Sequence, residues 1–228
     1  MRKKIIYMST ISKENYLKAI FNQSFELENN ASTSKIANHL SITSSAISDM
    51  AKKLSKEGLV KYQKYKGIML TPHGEKAALK IIRRHRLWEL FLIKVLALDW
   101  SEVHDEAEKL EHYSSDFLIN RIDEFLGFPE FDPHGHPIPK KNGLMPEIAD
   151  VIPLADAEEN NQYEFVRVND RDSGLISYLM KIGLVLNTKL KIVDRINYDR
   201  SILVKINNRN LTLSKKVTEN IFVRLIKE

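Results

Sequence analysis

The spacing of apolar residues changes on the two sides of a proline-rich stretch, and this change limits the possible folds most. Residues 129–153 carry six of the seven prolines, which predicts a loop or linker because proline lacks a backbone N–H. Before this stretch, apolar residues recur every three or four positions, as in amphipathic helices. After it, they alternate or form short Val- and Ile-rich runs, as in strands. We therefore predict a mainly α-helical chain with a small C-terminal β-barrel.

The N-terminal part has the element order of a winged helix-turn-helix. Helical spacing is found at 33–39 and 44–56, with a tight turn between the two segments, and Val60–Tyr65 can pair with Ile68–Leu70 as a hairpin. In such a domain the second helix enters the major groove and reads bases with its first residues. Hydroxyl and lysine side chains there bind phosphates and base edges. The expected DNA-binding residues are Thr43, Ser44, Ser45, Ser48, Asp49, Lys52, Lys53 and Lys66.

Charge is distributed in blocks that point to two kinds of partner. The net charge is +5 overall, but residues 1–70 carry +7, residues 71–98 carry +4 and residues 99–132 carry −9. The basic block favours a polyanion and the acidic block a cation. With no cysteine, a disulfide framework and a thiolate metal site are both excluded. No apolar run is long enough for a bilayer and residues 1–10 lack a signal-peptide core, so we expect a cytoplasmic location.

A stripe of imidazoles and carboxylates gives the acidic block a more specific interpretation. In VHDEAEKLEH, the side chains of His104, Glu108, Glu111 and His112 stand at i, i+4, i+7 and i+8, on one face of a helix. Such groups on a buried face repel each other or lack partners unless a cation lies among them. We expect that cation to be a metal ion.

A second pair on the preceding long helix extends the same argument. His85 and Glu89 are four residues apart, and His104 approaches both if the two helices pack antiparallel. The other three residues of the stripe then form a second group, which Asn15 or Glu14 could complete. Nitrogen and oxygen ligands without sulfur suit Mn(II), Fe(II), Co(II) or Zn(II), and many carboxylates favour Mn(II) or Fe(II).

Other interpretations of these patterns are less specific. Each His–Glu pair could be a surface contact worth a few tenths of a kcal/mol, and the basic block could be a solvated face. The chain could be a metal-independent winged-helix regulator whose acidic face binds a protein. A metallohydrolase is the remaining alternative, although HExxH, P-loop, dinucleotide and nucleophile-elbow motifs are all absent.

Several blocks of the chain resemble the DtxR/MntR family of iron- or manganese-dependent transcriptional repressors. They are ENYLKAI, the helix-turn-helix through KEGLVKY, LTPHGEKAA, RRHRLWELFL, VHDEAEKLEH and LGFPEFDPHGHPIP, which together cover most of residues 10–140. The tail from about residue 152 resembles the SH3-like, FeoA-type domain of the longer members. The resemblance implies a DNA-binding domain at 1–72, a helical dimerisation and metal-binding domain at 73–140, a linker at 141–152 and an SH3-like domain at 153–228.

The resemblance also implies two metal sites in each chain. One uses Glu108, Glu111 and His112 with a residue of the first helix, expected to be Asn15. The other uses His85, Glu89 and His104, with Asp170 as the first choice and Asp172 as the second choice for a C-terminal ligand. Glu108 matches the manganese-responsive branch, because iron sensors tend to have Cys there. Asn15 departs from that branch, which usually has Asp.

These features together predict a regulator and not an enzyme. Mn(II) or Fe(II) is the expected co-repressor, with two ions per chain. A homodimer built from the apolar residues of 90–98 and 117–126 would bind a palindromic operator in double-stranded DNA. We expect repression of genes for manganese or iron homeostasis, with no membrane and no small-molecule substrate as partner.

Overall fold

The computed structural model describes residues 13–24, 31–63, 66–148 and 150–226. The chain divides into two compact units, and the division falls inside three helices. The first unit comprises Met1–His85, Lys109–Leu118 and Pro139–Leu144, and the second comprises Arg86–Glu108, Ile119–Ile138 and Met145–Glu228. The boundaries of the four segments proposed from the sequence therefore stay a prediction.

The first unit contains the winged helix-turn-helix. Helix α1 covers 13–24, and α2 (Thr33–His39) and α3 (Ser44–Lys56) precede the hairpin of β1 (Val60–Gln63) and β2 (Gly67–Leu70). Ile36 of α2 and Ile47 and Leu54 of α3 are buried, as their helical spacing predicts. Lys64 and Tyr65, at the tip of the predicted hairpin, lie outside the described residues.

A long helix, α4 (Pro72–Leu96), follows the hairpin directly. Thr71 starts it, because its hydroxyl accepts a hydrogen bond from Gly74 N at 3.1 Å and donates to Gly58 O. Gly74 has no room for a side chain, since a Cβ there would lie 1.9 Å from Leu59 O. Helices α5 (Val103–Glu111) and α6 (Asp116–Phe125) complete the helical part. Among the described residues, no helix combines the length and apolar character needed to cross a bilayer.

The proline-rich stretch has little regular structure, as predicted. Its pairing is an isolated bridge between Phe131 and Pro137, and the backbone N–H of Ile138 also bonds Glu130 O at 2.8 Å. Gly135, inside this turn, has φ +85°, a conformation that favours glycine. A Cβ at Gly135 would lie 2.0 Å from Val166 O, so the turn packs against a strand of the β domain in the second unit.

The second unit ends in an antiparallel six-stranded sheet. Its strands are β3 (Val151–Pro153), β4 (Gln162–Val168), β5 (Lys189–Ile196), β6 (Ser201–Ile206), β7 (Arg209–Leu213) and β8 (Ile221–Leu225), in the order β3-β8-β4-β5-β6-β7. Helices α7 (Ser173–Ile182) and α8 (Lys215–Thr218) interrupt them. Phe165, Leu179 and Leu184 are fully buried in the core of this domain.

The predicted β domain is confirmed, but its sheet is open and not a closed barrel. The edge strands are β3 and β7, and β3 has three residues and ends at Pro153. Proline has no backbone N–H to donate to a neighbouring strand, so it is suited to an edge strand. It also makes it harder for another strand to add to that edge.

Candidate metal centre

A buried group of carboxylates and one imidazole lies in the second unit. Glu89, Asp132, His134 and Asp170 each offer one ligand atom, and these atoms all lie within 4.8 Å of one another. We call these four residues the loop cluster. Glu89 comes from α4, Asp132 and His134 from the proline-rich stretch, and Asp170 from the turn that follows β4. The first three are at most 4% exposed, so the cluster is withdrawn from solvent.

The turn D-P-H-G-H brings its acidic and imidazole groups together by local hydrogen bonds. Asp132 Oδ1 accepts from the backbone N–H of His134 at 2.8 Å and of His136 at 2.9 Å. This is the way that aspartate folds a turn on itself. The same turn is tied to β4, because Val168 N donates to His134 O at 2.9 Å. One oxygen of Asp132 is therefore used for the fold, and Oδ2 is left for the cluster.

The ring of His134 is oriented by Trp100. The two rings stack with centroids 5.5 Å apart, and His134 Nε2 lies 3.4 Å from Trp100 O. A carbonyl can only accept, so Nε2 carries the proton of this bond and Nδ1 is the nitrogen that faces Glu89 Oε1, 3.6 Å away. Metal-binding histidines commonly have their second nitrogen fixed in this way.

The negative charges of the cluster change the proton affinities of its members. Burial by itself lowers the pKa of His134, but the carboxylates, Glu89 first, outweigh burial and raise this pKa to about 9. Burial raises the pKa of Asp170, whereas the neighbouring imidazoles, His136 first, bring it down to about 2. The raised pKa of His134 means that the carboxylates around it favour its positively charged form.

The donor atoms fit a divalent cation. Asp132 Oδ2, His134 Nδ1 and His136 Nδ1 are buried and make no hydrogen bond among the described residues. Buried polar atoms without partners are costly, and several that converge on one point indicate a missing ligand. Carboxylate oxygens with imidazole nitrogen suit Mn(II), Fe(II) and Zn(II).

Part of the predicted metal site lies beside this cluster. His104 Nδ1 is 3.3 Å from Glu89 Oε1 and 3.8 Å from Asp170 Oδ2. The structure thus brings Glu89, His104 and Asp170 together, as expected. Asp172, the second choice, instead caps α7 by accepting from Gly174 N and pairs with Lys216 at 3.0 Å.

A second group, which we call the first-helix cluster, lies in the first unit. It contains Glu14 and Lys18 of α1, His85 of α4, and Glu111 and His112. His85 Nδ1 is 2.7 Å from Glu111 Oε2, and His112 Nδ1 is 2.7 Å from Glu14 Oε2. Glu111 is fully buried and also accepts from the Lys18 ammonium. Glu14 is therefore a residue of α1 whose side chain hydrogen-bonds His112.

The first-helix cluster also has atoms that could take a cation. Asn15 Oδ1 and His112 Nε2 are buried and make no hydrogen bond in the described part of the chain. His112 Nε2 lies 3.3 Å from Glu111 Oε1. Glu108 stands one turn before Glu111 and His112 on α5, on the face that the sequence predicts. Ligation by Asn15, Glu108 or His85 stays a prediction.

Four residues in or beside the two clusters were not expected from the sequence. They are Asp132, His134 and His136 in the proline-rich stretch, and Lys18 in α1. The stretch has no helical or strand periodicity to relate its side chains, but three ligand-type residues within five positions, D-P-H-G-H, were a usable signal. Lys18 gave no signal, because a lysine on a basic helix is usually solvated.

The expected DNA-binding residues lie on one accessible part of the first unit. Thr43 caps α3 by accepting from Ala46 N at 3.2 Å, and Ser44, Ser45, Asp49, Lys52 and Lys53 are exposed, as is Lys66 beside the hairpin. Ser48 is half-buried and its hydroxyl bonds Ser44 O at 3.0 Å. Asp49 pairs with Lys52 at 3.1 Å. The start of α3 is therefore open to a partner.

A winged helix-turn-helix with an open recognition helix, in a chain with buried imidazole–carboxylate clusters, defines the class of metal-responsive DNA-binding regulators. Family models agree over most of the chain. Residues 8–68 match the N-terminal DNA-binding domain of iron-dependent repressors, residues 71–140 match the metal-binding and dimerisation domain of the same repressors, and residues 152–225 match the FeoA domain.

Individual relatives support the same class. The HTH-type transcriptional regulator MntR of Bacillus pumilus is 35% identical over 123 residues, which is 54% of this chain and 84% of that protein. A solved manganese-dependent transcriptional repressor in complex with manganese is 34% identical, with a TM-score of 0.89 over 94% of this chain and 100% of that one. The structure of ScaR with bound Zn(II) is 31% identical, with a TM-score of 0.82 over 94% and 99%.

The chain belongs to the DtxR/MntR family of metal-dependent transcriptional repressors. It is accordingly a DNA-binding regulator and not an enzyme, as the sequence predicted. The sequence-based predictions of a helical part, a C-terminal FeoA domain and a metal co-repressor are also confirmed.

Proposed function

We propose that this protein is a cytoplasmic repressor that binds its operator as a homodimer when Mn(II) or Fe(II) is plentiful, and controls genes of manganese or iron homeostasis. The observation that carries this proposal is the loop cluster. Two of its buried donor atoms, Asp132 Oδ2 and His134 Nδ1, make no hydrogen bond among the described residues, and both residues are grouped with Glu89 in a chain that also presents a recognition helix. A buried set of this kind is expected to persist because a ligand completes it.

Two groups of residues are proposed to hold the ions. In the loop cluster, Glu89, Asp132, His134 and Asp170 are the proposed ligands, with His104 beside them. In the first-helix cluster, Glu111 and His112 would bind an ion together with Glu14 or Asn15 of α1. Glu108 of α5 and His85 of α4 are the other proposed ligands. Oxygen donors outnumber nitrogen donors in both groups, which favours Mn(II) or Fe(II) over softer ions.

Each cluster joins segments that are distant in the sequence, and this is how we expect the ion to act. The loop cluster connects α4, the proline-rich stretch and the turn after β4 within the second unit. The first-helix cluster connects α1, which packs within the winged-helix unit, to His85 and Glu111. A bound divalent cation would cross-link carboxylates and imidazoles that otherwise contact one another only by hydrogen bonds and ion pairs. The ion can favour the DNA-binding state only as far as it binds that state more tightly.

Dimerisation is proposed to use the apolar face of α6. Phe117, Leu118 and Phe125 are exposed there, at 76%, 42% and 69%, and exposed apolar groups of this size usually mark an interface. A two-fold dimer presents two copies of α3, so its operator should be a palindrome with half-sites about one helical turn apart.

The test is DNA binding with and without the ion. A pool of duplexes, each about 30 base pairs long so that two half-sites fit, would be selected against the protein in Mn(II), and the enriched duplex labelled for fluorescence anisotropy. Addition of a chelator should weaken binding by about 5- to 150-fold, the usual range of allosteric coupling. Equal affinity after chelation would favour a metal-independent winged-helix regulator instead.

A further inference from the structure

A lysine ammonium occupies the position in the first-helix cluster where a cation is expected. Lys18 Nζ lies 3.0 Å from Glu111 Oε1, 2.9 Å from Glu111 Oε2 and 3.5 Å from His85 Nδ1. Lys18 is 8% exposed and Glu111 is 0% exposed. The ammonium thus binds both oxygens of a proposed metal ligand and touches the imidazole beside it.

Physical chemistry explains why the ammonium is there. A wholly buried carboxylate is strongly destabilising unless a positive charge or hydrogen-bond donors compensate it. Lys18 supplies both, from a four-carbon chain that is long enough to reach the cluster from α1. The compensation does not depend on metal, so the metal-free protein already has a cation joining α1 to Glu111.

A divalent ion and this ammonium cannot use Glu111 together without cost. Both oxygens of Glu111 lie within 3.0 Å of Nζ, so an ion that binds either oxygen would stand about 4 Å from another positive charge. At that distance, like charges repel by several kcal/mol even with the high effective dielectric of protein sites. Lys18 must move out before the ion can bind fully.

The loop cluster has a different arrangement. Its neighbouring cation, Arg86, donates a hydrogen bond to Pro137 O and forms a longer ion pair with Asp132, with 3.6 Å between Nε and Oδ2. Asp132 Oδ2 and His134 Nδ1 keep no hydrogen bond. Arg86 therefore opposes an ion at Asp132 less strongly than Lys18 opposes one at Glu111, because the ammonium of Lys18 hydrogen-bonds both oxygens of its carboxylate.

We propose that Lys18 is a tethered competitor that lowers the metal affinity of the first-helix cluster, so that the two ions of each chain bind in two unequal steps. The loop cluster fills first and the first-helix cluster fills only at higher metal concentration. This inference rests on the proposed function, because it takes both clusters as metal sites. It makes Lys18 the residue that determines the concentration at which the second step occurs.

Calorimetric titration of the full-length apo protein with Mn(II), in the absence of DNA, tests the proposal. The wild type should show a tight step and a weak step. Lys18→Met, which keeps the length of the side chain and removes its charge, should tighten the weak step by about tenfold or more and leave the tight step unchanged. Lys18→Gln is a second neutral variant whose amide can still donate to Glu111. Lys18→Arg keeps the charge and should keep the weak step weak.

Matched controls identify the steps. Lys13→Met makes the same change on the same helix, but removes a partly exposed ion pair with Glu57 at 2.7 Å, and should leave both steps unchanged. Glu111→Gln should further weaken only the weak step, and Asp132→Asn should weaken only the tight step. Thermal unfolding provides a second readout. Without metal, Lys18→Met should have a lower melting temperature than the wild type. Addition of Mn(II) should then raise the melting temperature of the variant by more than it raises that of the wild type.

The possible failures are distinct. Two steps of equal affinity in the wild type, or a weak step that the neutral variants leave unchanged, would overturn the role of Lys18 and leave the two metal sites in place. A wild type that binds no Mn(II) in either step would overturn the proposed function itself.

Discussion

At the scale of single residues, the loop cluster depends on the two different uses of the Asp132 carboxylate. Oδ1 holds the turn by accepting from two backbone N–H groups, and Oδ2 is buried without a hydrogen bond. The carboxylate of this proposed metal ligand thus also folds the turn that carries it. This explains how an irregular proline-rich stretch can position a donor atom accurately.

Replacing Asp132 by Asn should therefore weaken metal binding while keeping the turn. The amide oxygen can still accept from His134 N and His136 N, but the negative charge is lost. Loss of a supporting group around a metal usually costs 10- to 100-fold, so removal of a charged ligand should lower the Mn(II) affinity of this step by about 100-fold. Asp172→Asn is the matched control, because Asp172 caps α7 outside the cluster. Equal losses in both variants would contradict the role of Asp132.

Gly135 supports the same turn through its lack of a side chain. Its φ is +85°, and a Cβ would lie 2.0 Å from Val166 O. Gly135→Ala should lower the free energy of unfolding by about 3 kcal/mol, since backbone strain and a backbone clash add together. Gly127→Ala is a suitable comparison, because φ is +75° there and nothing lies within 4 Å, so strain alone should cost about 1 kcal/mol. Urea unfolding of both variants measures the difference, and similar losses would show that the close approach is unimportant.

At the scale of elements, ion pairs fix the start of α6 to α4 within the first unit. Asp116, the first residue of α6, accepts from Lys80 at 2.6 Å and from Arg84 at 2.7 Å. Hydrogen bonds from these two cations lower the pKa of Asp116 to about 2. The negative charge also suits the N-terminal end of a helix. The contact thus stabilises the folded state only while Asp116 is ionised.

The pH dependence of this contact has a definite sign. Because the folded pKa is lowered from 3.8 to about 2, the stabilisation is fully present above about pH 4 and is lost as the pH falls towards 2. About half of the Asp116 side chain is exposed, so solvent screening limits its contribution to about 1 kcal/mol or less.

Asp116→Asn should therefore lower stability near pH 6 and have less effect near pH 2.5. Urea unfolding of the wild type and the variant at both pH values measures this. Asp105→Asn, in the first turn of α5, is the control for a helix-terminal charge. A loss that stays constant between the two pH values would contradict an ionic origin.

At the scale of the whole molecule, the exposed aromatic residues of α6 suggest that the isolated chain is not the functional unit. Phe117 and Phe125 are both more than two-thirds exposed, which is unusual for large apolar side chains in a monomer. The family model that matches residues 71–140 describes a metal-binding and dimerisation domain. The apolar face of α6 and the helical domain therefore point to the same assembly.

A charge on this face should prevent association. Phe117→Lys is expected to shift the protein from dimer to monomer in analytical ultracentrifugation, because a dimer would bury two unpaired ammonium groups. DNA affinity should fall in parallel, since a monomer contacts one half-site. Tyr198→Lys changes an aromatic residue that is 99% exposed in the turn between β5 and β6, and should leave the dimer intact. A Phe117→Lys protein that remains dimeric would place the interface elsewhere.

Local sequence patterns predicted the elements and some of the residues that the structure brings together in the two clusters. The apolar stripe of α3 and the alternation of β4 are properties of neighbouring residues, so they are visible without a fold. Glu89, His104 and Glu111 were expected because helical periodicity relates their side chains. Asp170 was proposed from the family resemblance, and the structure places it 3.8 Å from His104.

By itself, the sequence determined the helical and strand segments, the winged helix-turn-helix, the family and the side chains that a helix places on one face, because these follow from periodicity and from motifs of adjacent residues. Only the tertiary structure decided that Asp132 and His134 join Glu89, that Glu14 hydrogen-bonds His112, and that Lys18 binds Glu111. Those pairs are separated by tens of residues, and their distances depend on how helices pack and turns fold. No local pattern carries that information.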